Sequence, residues 1–100
     1  MKPTIHELKT IASYYDAVER GEKLFEVRRD DRGYQRGDIV ALQRCYKQRI
    51  GGWKVETDIS GKPVKEMRFR IGWILTGGQF GIEPGYVVFS LESLTGRAAQ

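Results

Sequence analysis

Apolar residues along this chain keep two different periods. Ile11, Tyr14, Tyr15 and Val18 recur at spacings of three and four, and predict a short helix over residues 11–20. Thr10 or Ser13 suits its start, and Gly21 suits its C-terminal stop. Beyond Gly21 the period becomes two, which is the period of a strand. Residues 23–29 put Phe25 and Val27 on one face and Leu24, Glu26 and Arg28 on the other. Residues 30–36 are polar, hold Gly33 and read as a loop. Gly37-Asp38 turns the chain into a second strand over 39–46, and Gly51-Gly52 pivots the turn over 48–52. A weaker strand over 53–57 precedes the turn Ser60-Gly61-Lys62-Pro63. The clearest alternation covers 64–75, where Met67, Phe69, Ile71, Trp73 and Leu75 interleave with Glu66, Arg68, Arg70 and Gly72. The glycine-rich stretch 76–85 predicts a long loop, and 86–91 a last strand with Val87, Phe89 and Leu91 on one face.

One or two helices and about five strands define an α+β, mainly β, class. At this length the strands bury their apolar faces best by curling into a small barrel, which also removes exposed edges. One hundred residues make one domain, expected over 1–94, with 95–100 as a disordered tail.

Composition narrows the picture. The formal net charge is +4, from 17 Lys and Arg against 13 Asp and Glu. That excess fits a polyanion binder, and it also fits an ordinary soluble protein with extra lysine. The single cysteine, Cys45, rules out an internal disulfide and points to the cytoplasm. Its apolar surroundings read as core. One Cys and one His are too few for a zinc site, and no cofactor or metal is expected. Residues 1–9 lack the apolar run of a signal peptide, and no stretch approaches the roughly 20 apolar residues of a membrane span.

The densest polar constellation is Gly21 to Arg28. Glu26 and Arg28, two apart on a strand, share a face with Leu24. Arg28 offers a planar fork of donors for a phosphate, a carboxylate or a base edge. Lys23 joins them only if the regular strand begins after it, because simple alternation sends it to the other face. The bland alternative is a surface ion pair worth about 0–1 kcal/mol. A second surface interleaves cations and rings. Arg28, Arg29, Arg32 and Arg36 surround Tyr34, while Arg44, Lys47, Arg49 and Lys54 flank Tyr46 and Trp53. Lys62, Lys65, Arg68 and Arg70 line a strand and its turn. Such patterns suit single-stranded nucleic acid, although Asp30, Asp31 and Asp38 offer local ion pairs to the first cluster. Gln79 and Phe80 sit in a glycine-rich loop that reads either as an amide nest for a ligand or as a plain connection. Tyr14 and Tyr15 invite base stacking, but their spacing with Ile11 and Val18 places at least one in the core. His6, the lone histidine, is a general-base candidate that no spacing links to Glu26.

Gly21-x-Lys23-x-x-Glu26-x-Arg28 resembles the G-x-K-x-x-E-x-R signature of the ASCH superfamily, related to the PUA RNA-binding barrels. The resemblance extends over roughly residues 5–92 through His6-Glu7-Leu8-Lys9, Asp30-Asp31-Arg32-x-Tyr34-Gln35-x-Gly37-Asp38, Gly78-Gln79-Phe80-Gly81 and Pro84-Gly85-Tyr86-Val87-Val88. Together these look like a small bacterial and phage branch of the superfamily. The resemblance implies a PUA-like β-barrel with flanking helices, a cleft lined by the signature, and RNA or a nucleoside-like molecule as ligand. It assigns ligand contact to Lys23, Glu26, Arg28, Arg29, Arg32, Tyr34, Gln79 and Phe80. Some members of similar fold are enzymes. One type removes an acyl group from N4-acylated cytidines with a lysine and a threonine of the signature strand, and ribonuclease activity is attributed to another. Lys23 matches that lysine, whereas Glu26 stands where the threonine nucleophile would be, and a carboxylate cannot act as that hydroxyl does.

Three functions therefore stand side by side. The first is a non-catalytic binding module for RNA or a nucleoside. The second is a small hydrolase acting on RNA or a modified nucleoside, with Lys23 and Glu26 as acid–base pair. The third is a protein-interaction module of phage or mobile-element origin. Oligomeric state and the choice between RNA and DNA are open at this level.

Overall fold

The computed structural model describes residues 2–95. It begins with an unexpected strand, β1 (Ile5–Ile11), in which His6, Leu8 and Thr10 point inward and Ile5, Glu7 and Lys9 point out. Two of the three inward residues are polar, so the strand carries little apolar signal. Their polarity is satisfied internally: His6 Nε2 lies 2.9 Å from Asp38 Oδ2, and the Thr10 hydroxyl donates to the Leu8 carbonyl at 3.1 Å. Helix α1 (Ala12–Glu19) follows directly and buries Tyr15 and Val18. Neither expected cap is used. Ile11 occupies the N-cap without a side-chain hydrogen bond, since the Thr10 side chain is turned into the core. At the other end Gly21 adopts a left-handed φ of 78° and donates to the Val18 carbonyl, the expected stop.

Strands β2 (Phe25–Arg29), β3 (Ile39–Lys47), β4 (Trp53–Val55), β5 (Glu66–Thr76) and β6 (Tyr86–Glu92) complete one six-stranded sheet of order β1-β3-β5-β6-β2, with β4 on the far end of β3. β1 and β3 are parallel, and every other pair is antiparallel. Among the described residues the architecture is thus α+β and mainly β, with one helix and six strands. The sheet is open, not the closed barrel expected from strand count: β1 and β2 are its two edges, and no backbone ladder joins them. The reason is local. The Arg28 side chain lies in the seam and bonds to Lys9 and Thr10, occupying the space that a ladder would need.

A single core gathers Leu8, Val40, Leu42, Ile71, Phe89 and Leu91 against Tyr15 and Val18 of the helix and Tyr34 of the β2–β3 loop. Cys45 is buried, as its setting implied. The alternation read over 64–75 breaks in the middle. The β5–β6 register shifts between Ile71 and Ile74, a bulge that rotates Trp73 out to 65% exposure and turns Gly72 inward. Among the described residues no helix is long and apolar enough to cross a membrane. The tail expected from residue 95 lies, apart from Thr95, outside the described residues.

Candidate functional site

Strand β2 is amphipathic in reverse. Its apolar residues Phe25 and Val27 are 45% and 49% exposed, while Glu26 faces inward at 3% and Arg28 is half-buried beside it. The shared face of Glu26 and Arg28 is as the sequence implied, but it is the inner face. An edge strand with one neighbour leaves its outer face to solvent, and the inner positions fall beside Thr10 of the opposite edge.

The regular strand starts at Phe25, so Lys23 is free of the alternation and folds over the same side. Its Nζ sits 3.2 Å from Glu26 Oε1, at ion-pair distance but without hydrogen-bond geometry, because it donates to the Phe25 carbonyl. Arg28 Nε donates to Glu26 Oε2 at 3.3 Å. Its other nitrogens donate to the Lys9 carbonyl at 3.0 Å and to the Thr10 hydroxyl at 3.1 Å. Glu26 is thereby held between two cations, yet its Oε1 is buried with no hydrogen-bond partner. Buried acceptors are normally satisfied, and the group facing this one is the Lys23 ammonium at 3.2 Å.

Beside this carboxylate is a recess of about 280 Å³ lined by Tyr14, Lys23, Phe25, Glu26 and Val27. The Lys23 ammonium lies 5.6 Å from the Tyr14 ring centre and 4.9 Å from that of Phe25, attracted to both faces. Tyr15 is the core residue of the tyrosine pair, and Tyr14, 53% exposed, is the one at the recess. The site therefore offers a buried carboxylate, a cation paired with it and two exposed rings.

The remaining residues expected at a site are spread elsewhere. Arg29 lies at the other end of β2, its guanidinium 5.4 Å from the Tyr86 ring centre. Arg32 is on the surface with Asp31 at 4.0 Å. Tyr34 is in the core, stacked edge-on against His6 at 4.8 Å and tilted against Phe89 at 5.2 Å, so its ring is closed to a ligand. Gln79 caps the Thr76 carbonyl at 2.9 Å. The Gly77 and Gly78 amides bond to Tyr86 and Ile82 within the loop instead of forming a nest. Phe80 is 85% exposed with a left-handed φ of 52°. This loop abuts Arg29 through Tyr86, roughly 13 Å along β2 from Phe25. His6 does not join the recess: it is bound to Asp38 at the opposite end of β1. Burial pushes the Asp38 carboxyl up, but hydrogen bonds from His6 and from the Gln35 and Thr4 amides outweigh that and hold it below the usual carboxylate range. Lys9 and Thr10 were not legible as partners of Arg28, since only sheet closure brings them together across 19 and 18 residues.

Residues 5–91 match the model of a family described as "Domain of unknown function (DUF3850)". A protein of Escherichia phage P2, described as "Uncharacterized 12.9 kDa protein in GpA 3'region", is 42% identical to this chain over 60 residues. That stretch is 60% of this chain and 55% of the phage protein, so the chain spans about half the length of the curated relative it matches.

Proposed function

The chain belongs to the DUF3850 family of domains of unknown function, and we propose that it is a binding domain for RNA or a nucleoside-like ligand, taking an exposed base into the recess between Tyr14 and Phe25. The observation that carries this reading is Glu26, a buried carboxylate held between Lys23 and Arg28 beside a recess with two aromatic walls. A carboxylate accepts hydrogen bonds only, so it selects a base that presents an amino or imino donor, such as the exocyclic amine of cytosine. The rings supply stacking, the usual source of affinity for unpaired bases. Arg28 fixes the orientation of Glu26, and Lys23 reaches a phosphate next to the base. The convergence of Lys23, Glu26 and Arg28 supports the resemblance of their motif to the ASCH signature and, with it, a PUA-like relationship. The test is an NMR titration with short single-stranded RNA and then with free nucleosides. The reading expects shifts at Lys23, Phe25 and Val27, and binding that weakens as salt rises. Absence of shifts at low salt would sink it and return weight to a protein partner.

A hydrolase reading is favoured by one distance, the 3.2 Å between Lys23 Nζ and Glu26 Oε1. Apart from the Tyr14 phenol, the lining residues hold no hydroxyl or thiol nucleophile. Hydrolysis there proceeds by a water that Glu26 deprotonates, with Lys23 protonating the leaving group. Loss of turnover on N4-acetylcytidine or RNA in Glu26→Gln would support it, and unchanged turnover would end it.

A further inference from the structure

At the end of β1 away from the recess, Lys2, Arg36 and Arg70 line a second depression of about 630 Å³ together with Thr4, Gln35 and Asp38. Among the described residues none of the three cations lies within 4.0 Å of a carboxylate. The one carboxylate in the lining is engaged elsewhere. Asp38 accepts from the Thr4 amide at 3.2 Å, from the Gln35 amide at 3.1 Å and from His6. Glu92 is opposite Arg70 in the β5–β6 ladder, but its carboxylate lies over Gly72. The depression therefore sets three cations against one carboxylate.

The β5 bulge adds a second, independent observation. It throws Trp73 outward to 65% exposure, and the Arg36 guanidinium settles 5.3 Å from its ring centre. A large aromatic residue that strand alternation would bury is displayed instead beside unpaired cations. Cations that neutralise phosphates next to a ring that stacks on bases form the pairing used to hold single strands. Bulges occur often where a sheet re-aims a side chain for binding.

We propose that this depression is a separate subsite for single-stranded nucleic acid, with Arg36, Arg70 and Lys2 on a backbone phosphate and Trp73 stacked on a neighbouring base. It rests on the nucleic-acid reading of the Glu26 recess for its choice of ligand, but on none of the same residues. The seven residues of β1 separate the two sites by roughly 20 Å, so a single nucleoside reaches only one of them. A strand of several nucleotides reaches both.

The test uses Trp73 fluorescence in a Trp53→Phe protein, titrated with a short oligouridylate across a range of salt. Quenching is expected as the oligonucleotide is added. An Arg36→Gln, Arg70→Gln double variant is expected to bind at least about tenfold more weakly, and each lost phosphate contact to reduce the slope of log K against log salt by about 0.7. Both positions face solvent at least in part, so the fold is retained. Unchanged affinity and slope in the double variant would overturn the subsite, as would quenching by inorganic phosphate but not by the oligonucleotide. Nucleoside-induced shifts at Lys23 and Phe25 in the same double variant separate the two ideas. If the protein with Arg36 and Arg70 intact shows those shifts but no quenching by the oligonucleotide, the recess reading stands and this one falls.

Discussion

Arg28 on one edge of the sheet donates to the Lys9 carbonyl on the other edge at 3.0 Å, so a side chain closes what the backbone leaves open. The same guanidinium holds Glu26 Oε2 and the Thr10 hydroxyl. One residue thus joins the seam of the fold to the orientation of the candidate site.

Replacing Arg28 is expected to affect both. Arg28→Met keeps the apolar stem but leaves Glu26 with one fewer cation and the Lys9 carbonyl unpaired. Removing one partner of a buried charge costs up to about 5 kcal/mol, but Arg28 is partly solvated, so a loss of about 2 kcal/mol is expected. Arg28→Lys should fall between the two, since an ammonium keeps the charge without the fork. Urea unfolding midpoints of the three proteins check the order.

Asp38 should contribute to acid stability. Its carboxyl titrates below the ordinary range when folded, so the unfolded chain binds the proton more readily. Stability from this group is therefore fully present above the unfolded pKa of about 3.9 and fades as pH falls through the lower folded value. Asp38→Asn is expected to lose about 1–3 kcal/mol at neutral pH, because it weakens the hydrogen bonds from Thr4, Gln35 and His6. The difference between wild type and variant should shrink below about pH 4. Unfolding measured from pH 7 to pH 2 tests both the size and the sign.

Cys45 should be chemically silent in the folded protein. Burial pushes its thiol pKa up, and it is 2% exposed in the core. Since it is the chain's single cysteine, alkylation reports on one site. Slow labelling in buffer, with a rate that climbs along the urea transition, is the expected result. Fast labelling without denaturant would mean that β3 opens locally.

Much of this architecture was legible where apolar residues alternate against a buried face. Val87, Phe89 and Leu91 announced β6, and Ile11, Tyr15 and Val18 announced the helix. β1 was hidden because its inward residues include His6 and Thr10, whose burial depends on partners that spacing does not reveal. Trp73 was misplaced because a bulge reverses the faces after Ile71, and its one local mark is Gly72 inside the strand. At the site, the i, i+2 pairing of Glu26 with Arg28 was readable, but its direction was not. The apolar Phe25 and Val27 would ordinarily claim the interior, and here polar partners across the seam hold it instead. Lys23 depended on where the strand begins, and a start at Phe25 brings it to Glu26.

The central claim is that Glu26 reads a donor on a base. Calorimetric titration of wild type and Glu26→Gln with cytidine and with N4,N4-dimethylcytidine, whose base has no N–H donor, tests it most directly. The account predicts that wild type prefers cytidine and that the variant loses at least about tenfold in cytidine affinity, the size of one hydrogen bond to a charged group. Its affinity for the dimethylated nucleoside should hardly move, and its fold should persist. Equal affinities of the two proteins for cytidine would contradict the account, and Glu26 would then be a structural ion pair.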